Sequence, residues 1–280
     1  MSEALYLYCL APAHGLDPAS VPVPPVTEGD PPGGLEHLVH EGIVALYSRV
    51  DATEFNDENL QSLAWLGPRA VAHAGVVQAA MAQGGVVLPV KFGTLFRGAE
   101  SLNDFLRKHE VAIKAQLGRL EQQQEWSIKG FMDTPRVHER IKAEDPDIRE
   151  RFEALPESPG KRYLLMKKLE QAIDTRARER LEARGRAVID SVKTLVSEDA
   201  ALNIHGREAA GRDEPMVFNH SFLVHELQQQ AFCARVEHLI RQEAGEGLIL
   251  VLQGPWPPFN HCSDLTVTDA GDAANRGDAA

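Results

Sequence analysis

The sequence predicts an α+β protein of two domains, the first of which has a modified ferredoxin-like fold. Its 280 residues match about two domains of ordinary size. Between Ile43 and Met132, strand-like and helical patterns follow one another in the order β-α-β-β-α-β. This is the split βαβ pattern, here with one additional strand ahead of it. From Thr134 onward the sequence becomes charged and largely helical, which indicates a second domain.

The predicted first domain, residues 1–133, begins with an apolar strand at Ala4 to Leu10. Prolines and glycines interrupt residues 12–34, which excludes a helix or an inner strand and predicts an extended surface loop. Two strand-like runs flank Glu41-Gly42, where glycine suits a hairpin turn. We then expect a helix over 69–83 behind Pro68, two strands in GVVLPVKFGTLF, a helix over 102–120 capped by Ser101, and a strand in EWSIKGFMD.

The predicted second domain, residues 134–262, is α+β and is dominated by a long helix over 162–196. Such a helix would be about 50 Å long at 1.5 Å per residue, so we expect it to form a helical hairpin or to connect the two halves of the chain. Gly185 is a candidate bend. Short strands are expected near 201–205 and 214–219, then a helix over 223–242 and a strand over 247–253. Residues 263–280 are acidic and lack aromatic side chains, which predicts a disordered tail.

Composition excludes several functional classes. Forty-one acidic and 29 basic residues give a net charge of -12, which argues against general nucleic-acid binding and against anchoring on an anionic membrane. Three scattered cysteines favour a reducing compartment over a disulfide framework. The first residues lack the pattern of a signal peptide, and no apolar run reaches the ~20 residues of a membrane-spanning helix. We therefore expect a cytoplasmic protein.

Recognisable catalytic motifs are absent from the sequence, which has no G-x-x-x-x-G-K-[ST], G-x-G-x-x-G or G-x-S-x-G. Cys9 lies in an apolar strand, where a cysteine behaves as a small buried hydrophobe with a raised thiol pKa. The best candidates for a metal site lack zinc-ligand spacing, so capping, packing and surface roles are favoured for them: His220, His225, Glu226, His261 and Cys262. We expect no catalytic, cofactor-binding or metal-binding residues and no cofactor.

A basic stretch covers the first two thirds of the long helix. Between Lys161 and Arg186 there are nine basic residues and four acidic ones. The favoured interpretation is a solvated helix face paired with acidic side chains of the same protein. The alternative is docking on an acidic protein surface, whereas base stacking lacks the necessary aromatic side chains.

Two segments, LPVKFGTLF and GPWPPF, place aromatic side chains beside prolines and strand ends. Proline in a strand indicates an edge, a bulge or a strand end. Either segment could cover the core or could anchor a partner at a sheet edge, and the sequence favours neither. The candidate interface residues are Leu88, Pro89, Lys91, Phe92, Gly93, Pro255, Trp256 and Phe259.

Four blocks follow one another across nearly the whole chain: YLYCLAP, VVLPVKFGTLF, LRKHEVAIKAQLGRLEQQQEWSIKGF and LILVLQGPWPPFNH. In this order they resemble the GvpF/GvpL family of gas vesicle accessory proteins. The family-typical positions are Tyr6, Tyr8, Leu88, Pro89, Phe92, Gly93, Glu125, Gly254, Pro255, Trp256, Pro257 and Pro258. Cys9 departs from the glycine expected at its position, and the proline-rich loop is longer than expected.

The resemblance implies a non-enzymatic protein of gas vesicle formation with two α+β domains. It implies association with the small hydrophobic shell protein and with other accessory proteins, and for some members a place on the gas-facing side of the shell. The alternative from another class is a small-molecule or metal-binding enzyme on a ferredoxin-like scaffold. A third, an RNA-binding module, lacks the aromatic strand pattern that such a sheet requires.

Overall fold

The computed structural model describes residues 3–21, 34–204, 206, 211–263 and 265. It has a mixed α/β fold with two antiparallel sheets and several helices. The chain divides into two compact units, Met1–Gln124 with Trp256–Ala280, and Glu125–Pro255. Most of the predicted proline-rich loop and nearly all of the predicted acidic tail lie outside the described residues.

The first unit is built on a five-stranded sheet with the order β2-β3-β1-β4, in which β5 also pairs with β1. A tight hairpin joins β2 to β3, as predicted, because Glu41 and Gly42 both adopt positive φ, at 44° and 83°. The strands are β1 (Glu3–Pro12), β2 (Glu36–His40), β3 (Ile43–Asp51), β4 (Leu88–Pro89) and β5 (Leu95–Phe96).

Strand β1 is the centre of this sheet and is buried on both faces, as predicted for an apolar strand. A bulge between Leu7 and Cys9 shifts its register against β3. Because the extra residue reverses the alternation of side chains, Tyr8 and Cys9 both join one core cluster, together with Tyr6. Ala11 also belongs to that cluster, whereas Leu5, Leu7 and Leu10 are buried outside it.

The described part of the first unit has three α-helices: α1 (Asp57–Gln61), α2 (Leu63–Gly84) and α3 (Ala99–Leu120). Helix α2 begins six residues before the predicted start at residue 69, and Pro68 lies inside it. Tertiary packing overrides the local signal, since the ring of Trp65 lies 5.3 Å from that of Phe55. The predicted buried face of α3 is confirmed and consists of Leu102, Phe105, Leu106, Ile113, Leu117 and Leu120.

The second unit has a four-stranded sheet with the order β7-β8-β6-β9. Its strands are β6 (Gln123–Met132), β7 (Glu198–Ala201), β8 (Met216–His225) and β9 (Leu248–Trp256). In each sheet the strand that comes first along the chain lies between the third and the fourth. The two units therefore share one strand order, although different segments connect the first and second strands.

The assignment of β6 differs from the sequence prediction, which placed this strand last in the first domain. Met132 donates its backbone N–H to the carbonyl of Pro215 at 2.9 Å, and Asp133 donates to the carbonyl of Gly247 at 3.0 Å. Strand β6 therefore lies between β8 and β9, and the first unit ends at Gln124 rather than at 133. The elements predicted as one split βαβ unit do not share a sheet, because distant hydrogen-bond partners decide where a strand pairs.

The α-helices in the described residues of the second unit are α4 (Thr134–Glu144), α5 (Pro146–Glu153), α6 (Pro159–Val192) and α7 (Gln229–Ala244). Helix α6 has 34 residues and is about 51 Å long. It is a single helix that packs on α4, α5, α7 and β8 inside this unit, so it neither folds into a hairpin nor connects the two units. The predicted core stripe starts at Leu169, because Leu165 is exposed.

The strand and helix limits before α7 also differ from the prediction. Strand β8 continues to His225, across the apolar residues Leu223 and Val224 that the sequence placed in a helix. Burial in the middle of the sheet accommodates such a continuous apolar run, which periodicity alone does not separate from a buried helix. Strand β7 ends at Ala201, where the predicted strand begins.

Two glycines of the second unit hold one phenylalanine between the sheet and α6. A Cβ atom at Gly130 in β6 would lie 2.3 Å from the ring of Phe218, and one at Gly185 in α6 would lie 2.7 Å from it. Helix α6 continues through Gly185, so this glycine provides room for the ring rather than a bend. Because neither glycine has a side chain, the strand and the helix can both approach the Phe218 ring closely.

Replacing Gly130 by Ala is expected to lower the free energy of unfolding by about 1–3 kcal/mol, because the new methyl overlaps the Phe218 ring and overpacks the core. The matched control is Gly118→Ala in α3, where nothing lies within 4 Å of the new Cβ and a gain of up to about 1 kcal/mol is expected. Urea unfolding measures both. Equal effects of the two substitutions would contradict the packing role of Gly130.

Candidate partner interface

Strand β4 carries the first two predicted interface residues at the edge of the first sheet. Leu88 pairs with Leu10 of β1, and Pro89 pairs with Cys9. The predicted edge position of Pro89 is confirmed, but both side chains are buried. In this conformation they complete the core, so they do not contribute side-chain surface to a partner.

Phe92 is part of an aromatic cluster rather than a free anchor. Its ring centroid lies 5.7 Å from Tyr6, 6.3 Å from Phe55, 5.9 Å from His73 and 6.5 Å from Trp65. The ring is half-buried and packs against the core cluster of the first unit. Aromatic pairs at such distances contribute about 0.5–1.5 kcal/mol each beyond the buried area, so Phe92 stabilises the fold.

The segment between β4 and β5 is held by a chain of hydrogen bonds through the core. His73 Nε2 lies 3.2 Å from the carbonyl of Val90, so Nε2 donates and Nδ1 is left to accept. The hydroxyl of Tyr6 donates to Nδ1 at 2.8 Å and accepts from the backbone N–H of Gly93 at 3.4 Å. Gly93 itself adopts a φ of 84°, which glycine tolerates without strain. Strand β1 and helix α2 thereby fix both sides of the turn at exposed Lys91.

This network requires a neutral imidazole. Burial lowers the pKa of His73 to about 4, while its hydrogen bond to Val90 acts in the opposite direction. Burial also raises the pKa of Tyr6 far above its ordinary value, partly offset by the bond from Gly93. Both groups are therefore uncharged near neutral pH, as the hydrogen-bond directions demand.

The GPWPPF segment ends at the surface of the first unit. Trp256 and Phe259 are exposed, whereas Pro257 and Pro258 are buried. The ring of Phe259 lies 6.0 Å from that of His73. Half-buried Pro255 falls in the second unit. Of the eight candidate residues, Lys91, Trp256 and Phe259 are thus exposed.

The outward face of α2 is a surface that the sequence analysis did not identify. It consists of uncharged residues that are exposed or half-exposed, all of them small or apolar except Gln78: Leu63, Ala64, Gly67, Pro68, Val71, Ala74, Gly75, Gln78 and Ala82. Val71 is 74% exposed. The sequence feature that could have identified this face is its near absence of charged residues. Between Leu63 and Gln83, Arg69 is the one Lys, Arg, Asp or Glu residue.

Arg69 does not place its charge on that face. Its guanidinium lies over the ring of Trp65 at 4.2 Å and pairs with Glu54 at 3.2 Å. The cation is therefore held against an aromatic ring and a carboxylate, and the outward face of α2 stays uncharged over about five turns.

The candidate metal ligands have other partners. His220 lies 2.7 Å from Asp199, and His225 accepts the backbone N–H of Leu227 at 3.2 Å. The thiol of Cys262 donates to the carbonyl of Pro258 at 2.9 Å. Within the described part of the chain, no group of three or more His, Cys, Asp or Glu side chains is arranged to hold a metal ion. Burial raises the pKa of the Cys9 thiol to about 12, as expected for a buried hydrophobe.

The arginines in the middle of α6 are paired inside the second unit. Arg176 binds Asp145 at 2.6 Å and Asp147 at 2.5 Å, and Arg180 binds Glu144 at 2.7 Å. Arg184 binds the buried carboxylate of Glu243 at 3.0 Å. The predicted pairing of this helix with acidic side chains is confirmed for these three arginines.

Comparison with known proteins supports the family resemblance seen in the sequence. Residues 4–263 match the family described as gas vesicle synthesis protein GvpL/GvpF, and the chain belongs to this family. It is 25% identical to gas vesicle protein L1 of Halobacterium salinarum over 95% of this chain and 92% of that protein. It is 28% identical to gas vesicle protein F of a Streptomyces species over 83% of this chain and 89% of that protein.

Solved structures share the fold. The crystal structure of GvpF from Anabaena superposes with a TM-score of 0.65 at 21% identity, covering 92% of this chain and 97% of that one. The corresponding values for GvpF from Microcystis aeruginosa are 0.60, 22%, 91% and 97%. None of the helices in the described ranges is long and apolar enough to cross a membrane. Family membership gives the protein a gas vesicle-related role.

His73 makes the stability of the first unit depend on pH. Its pKa falls from about 6.5 when unfolded to about 4 when folded, so the unfolded chain binds more protons between these values. Stability is complete above pH 6.5 and decreases by about 3 kcal/mol as the pH falls to 4. His73→Gln should remove this share of the pH dependence in urea unfolding at pH 7, 5.5 and 4. Parallel pH profiles of the two proteins would contradict the role of His73.

Phe92 and Trp256 should respond differently to truncation. Phe92→Ala removes a ring with four aromatic neighbours, and we expect a loss of about 2 kcal/mol in the free energy of unfolding. Trp256→Ala changes an exposed side chain and should stay within about 0.5 kcal/mol of the original protein. Thermal unfolding followed by circular dichroism measures both. A larger loss for Trp256→Ala would show that Trp256 carries the packing role instead.

Proposed function

We propose that this protein takes part in gas vesicle assembly as a non-enzymatic accessory or minor structural component, and that it binds the small hydrophobic shell protein through the outward face of α2. The observation that carries the proposal is the uncharged, exposed surface of this helix around Val71. It occurs in a protein of which 25% of the residues are charged. Exposed apolar surfaces of this kind are typical of binding sites for other proteins.

The chemistry of the surface favours an apolar partner that approaches closely. Alanine and glycine at positions 64, 67, 74 and 75 keep the side chains short, so a partner helix or strand can lie near the α2 backbone. Burying an exposed Val or Leu side chain contributes about 1.5–3 kcal/mol, which Leu63 and Val71 can supply. A partner with a charged contact surface would instead lose hydration without gaining an ion pair.

The exposed aromatic residues of GPWPPF extend the proposed interface. Trp256 and Phe259 are suited to anchor a partner, because large aromatic side chains dominate binding energies. We also assign Lys91 and Pro255 to the proposed interface. Leu88, Pro89, Phe92 and Gly93 act in it indirectly, by shaping the turn that the Tyr6–His73 network holds.

The rest of the proposal follows from charge. A net charge of -12 opposes self-association, which suits a protein that holds or places an aggregation-prone shell subunit until its strand edges are covered. We propose that it acts in the cytoplasm and at the gas vesicle, with other gas vesicle accessory proteins as further partners. No cofactor, nucleic acid or membrane enters this function. An enzyme on the same scaffold is not favoured by any arrangement of the described side chains.

A single charge on the α2 face should abolish shell-protein binding. Val71→Glu places a carboxylate in the middle of the proposed contact, and we expect at least a tenfold loss of co-purification with the shell protein of the same genome when the two are co-expressed. The physical reason is the cost of desolvating an unpaired carboxylate. The measurement is the amount of shell protein retained per tagged chain.

The matched control is Val111→Glu, since Val111 is 84% exposed on α3 of the same unit. It adds the same charge to a helix surface that already carries charged residues, so shell-protein binding should not change. Trp256→Ala should lower retention by less than Val71→Glu. Full retention by Val71→Glu, or equal losses in both glutamate variants, would exclude the α2 face as the contact.

A further inference from the structure

The N-terminal end of α6 is a second exposed surface, with a chemistry opposite to that of α2. We call residues 159–168 the α6 tip. Every residue in it is exposed except Met166, which packs against the core of the second unit. From Leu169 onward the helix has a regular buried stripe. The tip is therefore the part of α6 that leaves its own core while remaining helical.

Apolar side chains surround the tip on its three free sides. Tyr163, Leu164 and Leu165 are 68%, 61% and 43% exposed. Consecutive residues of an α-helix are about 100° apart, so these three side chains point in three directions, and Met166 takes the fourth. A helix that lies on a flat surface presents its apolar residues on one face. The tip lacks such a face, so only a concave partner can cover these residues together.

We call Tyr163, Leu164 and Leu165 the apolar collar, and a pair of basic residues lies at each end of it. Lys161 and Arg162 precede it and Lys167 and Lys168 follow it, with no acidic residue between Ser158 and Lys168. None of the four has an ion pair among the described residues, in contrast to Arg176, Arg180 and Arg184 further along. The first turn of α6 contains no acidic side chain, so the cations add to the positive end of the helix dipole. This arrangement opposes local helix stability and has no compensation within the described chain.

From this geometry we infer that the α6 tip inserts into an apolar cleft with an acidic rim on a different protein. The apolar collar fits the floor of the cleft, and the two basic pairs, about 9 Å apart along the axis, meet carboxylates at two levels of its rim. A second copy of this chain does not fit by the same contact, because pairing two tips would bring eight cations together. A membrane or a nucleic acid fits poorly. Each presents a flat or grooved surface of negative charge, which cannot cover apolar side chains on three sides of a helix.

The inference concerns another surface and another partner than the shell-protein proposal, so the two can fail separately. The test uses the full chain co-expressed with the other gas vesicle proteins of the same genome. A photo-crosslinking amino acid replaces Leu164 in one protein and Val111 in a control protein. Crosslinked peptides are identified by mass spectrometry.

We expect position 164 to crosslink to one partner at a segment of net negative charge, at least tenfold more than position 111. Reversing all four cations (K161E, R162E, K167E and K168E) should lower this crosslink at least tenfold, while the melting temperature does not fall and shell-protein retention stays unchanged. A milder variant, Leu164→Glu with the crosslinker at 165, should have the same effect. The inference is overturned by no crosslink above the control, by crosslinks only to this chain or to nucleic acid, or by a crosslink that survives the charge reversal.

Discussion

The burial of β1 on both faces is the constraint on which the first unit depends. A ten-residue strand that pairs with β3, β4 and β5 cannot leave the sheet without exposing both core layers. The bulge at Tyr8 directs Tyr6, Tyr8 and Cys9 to one side, and Tyr6 then reaches His73. The turn between β4 and β5 follows, because its backbone is held by those two side chains.

The second unit has the same strand order as the first but connects its strands with different elements. Helices α4, α5 and α6 lie between its first and second strands, and α6 closes on the sheet where glycines at 130 and 185 admit the ring of Phe218. Ion pairs along the middle of α6 connect it to α4, α5 and α7. Exposed pairs of this kind contribute little individually, but Glu243 is buried and needs Arg184 to compensate its charge.

Two helices of this protein therefore have opposite exposed surfaces. Helix α2 presents small uncharged residues and holds its single arginine against Trp65 and Glu54, whereas the α6 tip presents apolar residues between cations that have no ion pair among the described residues. One surface suits an apolar partner and the other an acidic one. The proposed role in assembly uses both contacts, one for the shell protein and one for an accessory protein.

By itself, the sequence determined what local periodicity and turn chemistry control: the buried strand β1, the hairpin at Glu41-Gly42, the buried face of α3 and the existence of one long helix. It also carried the family resemblance through four blocks. Tertiary structure alone decided which sheet takes β6, that Phe92 packs inward, that α2 starts at Leu63, and that Leu165 is exposed. The physical reason is that periodicity shows which side chains are apolar, whereas strand partners and the limits of a core depend on residues far away in the chain.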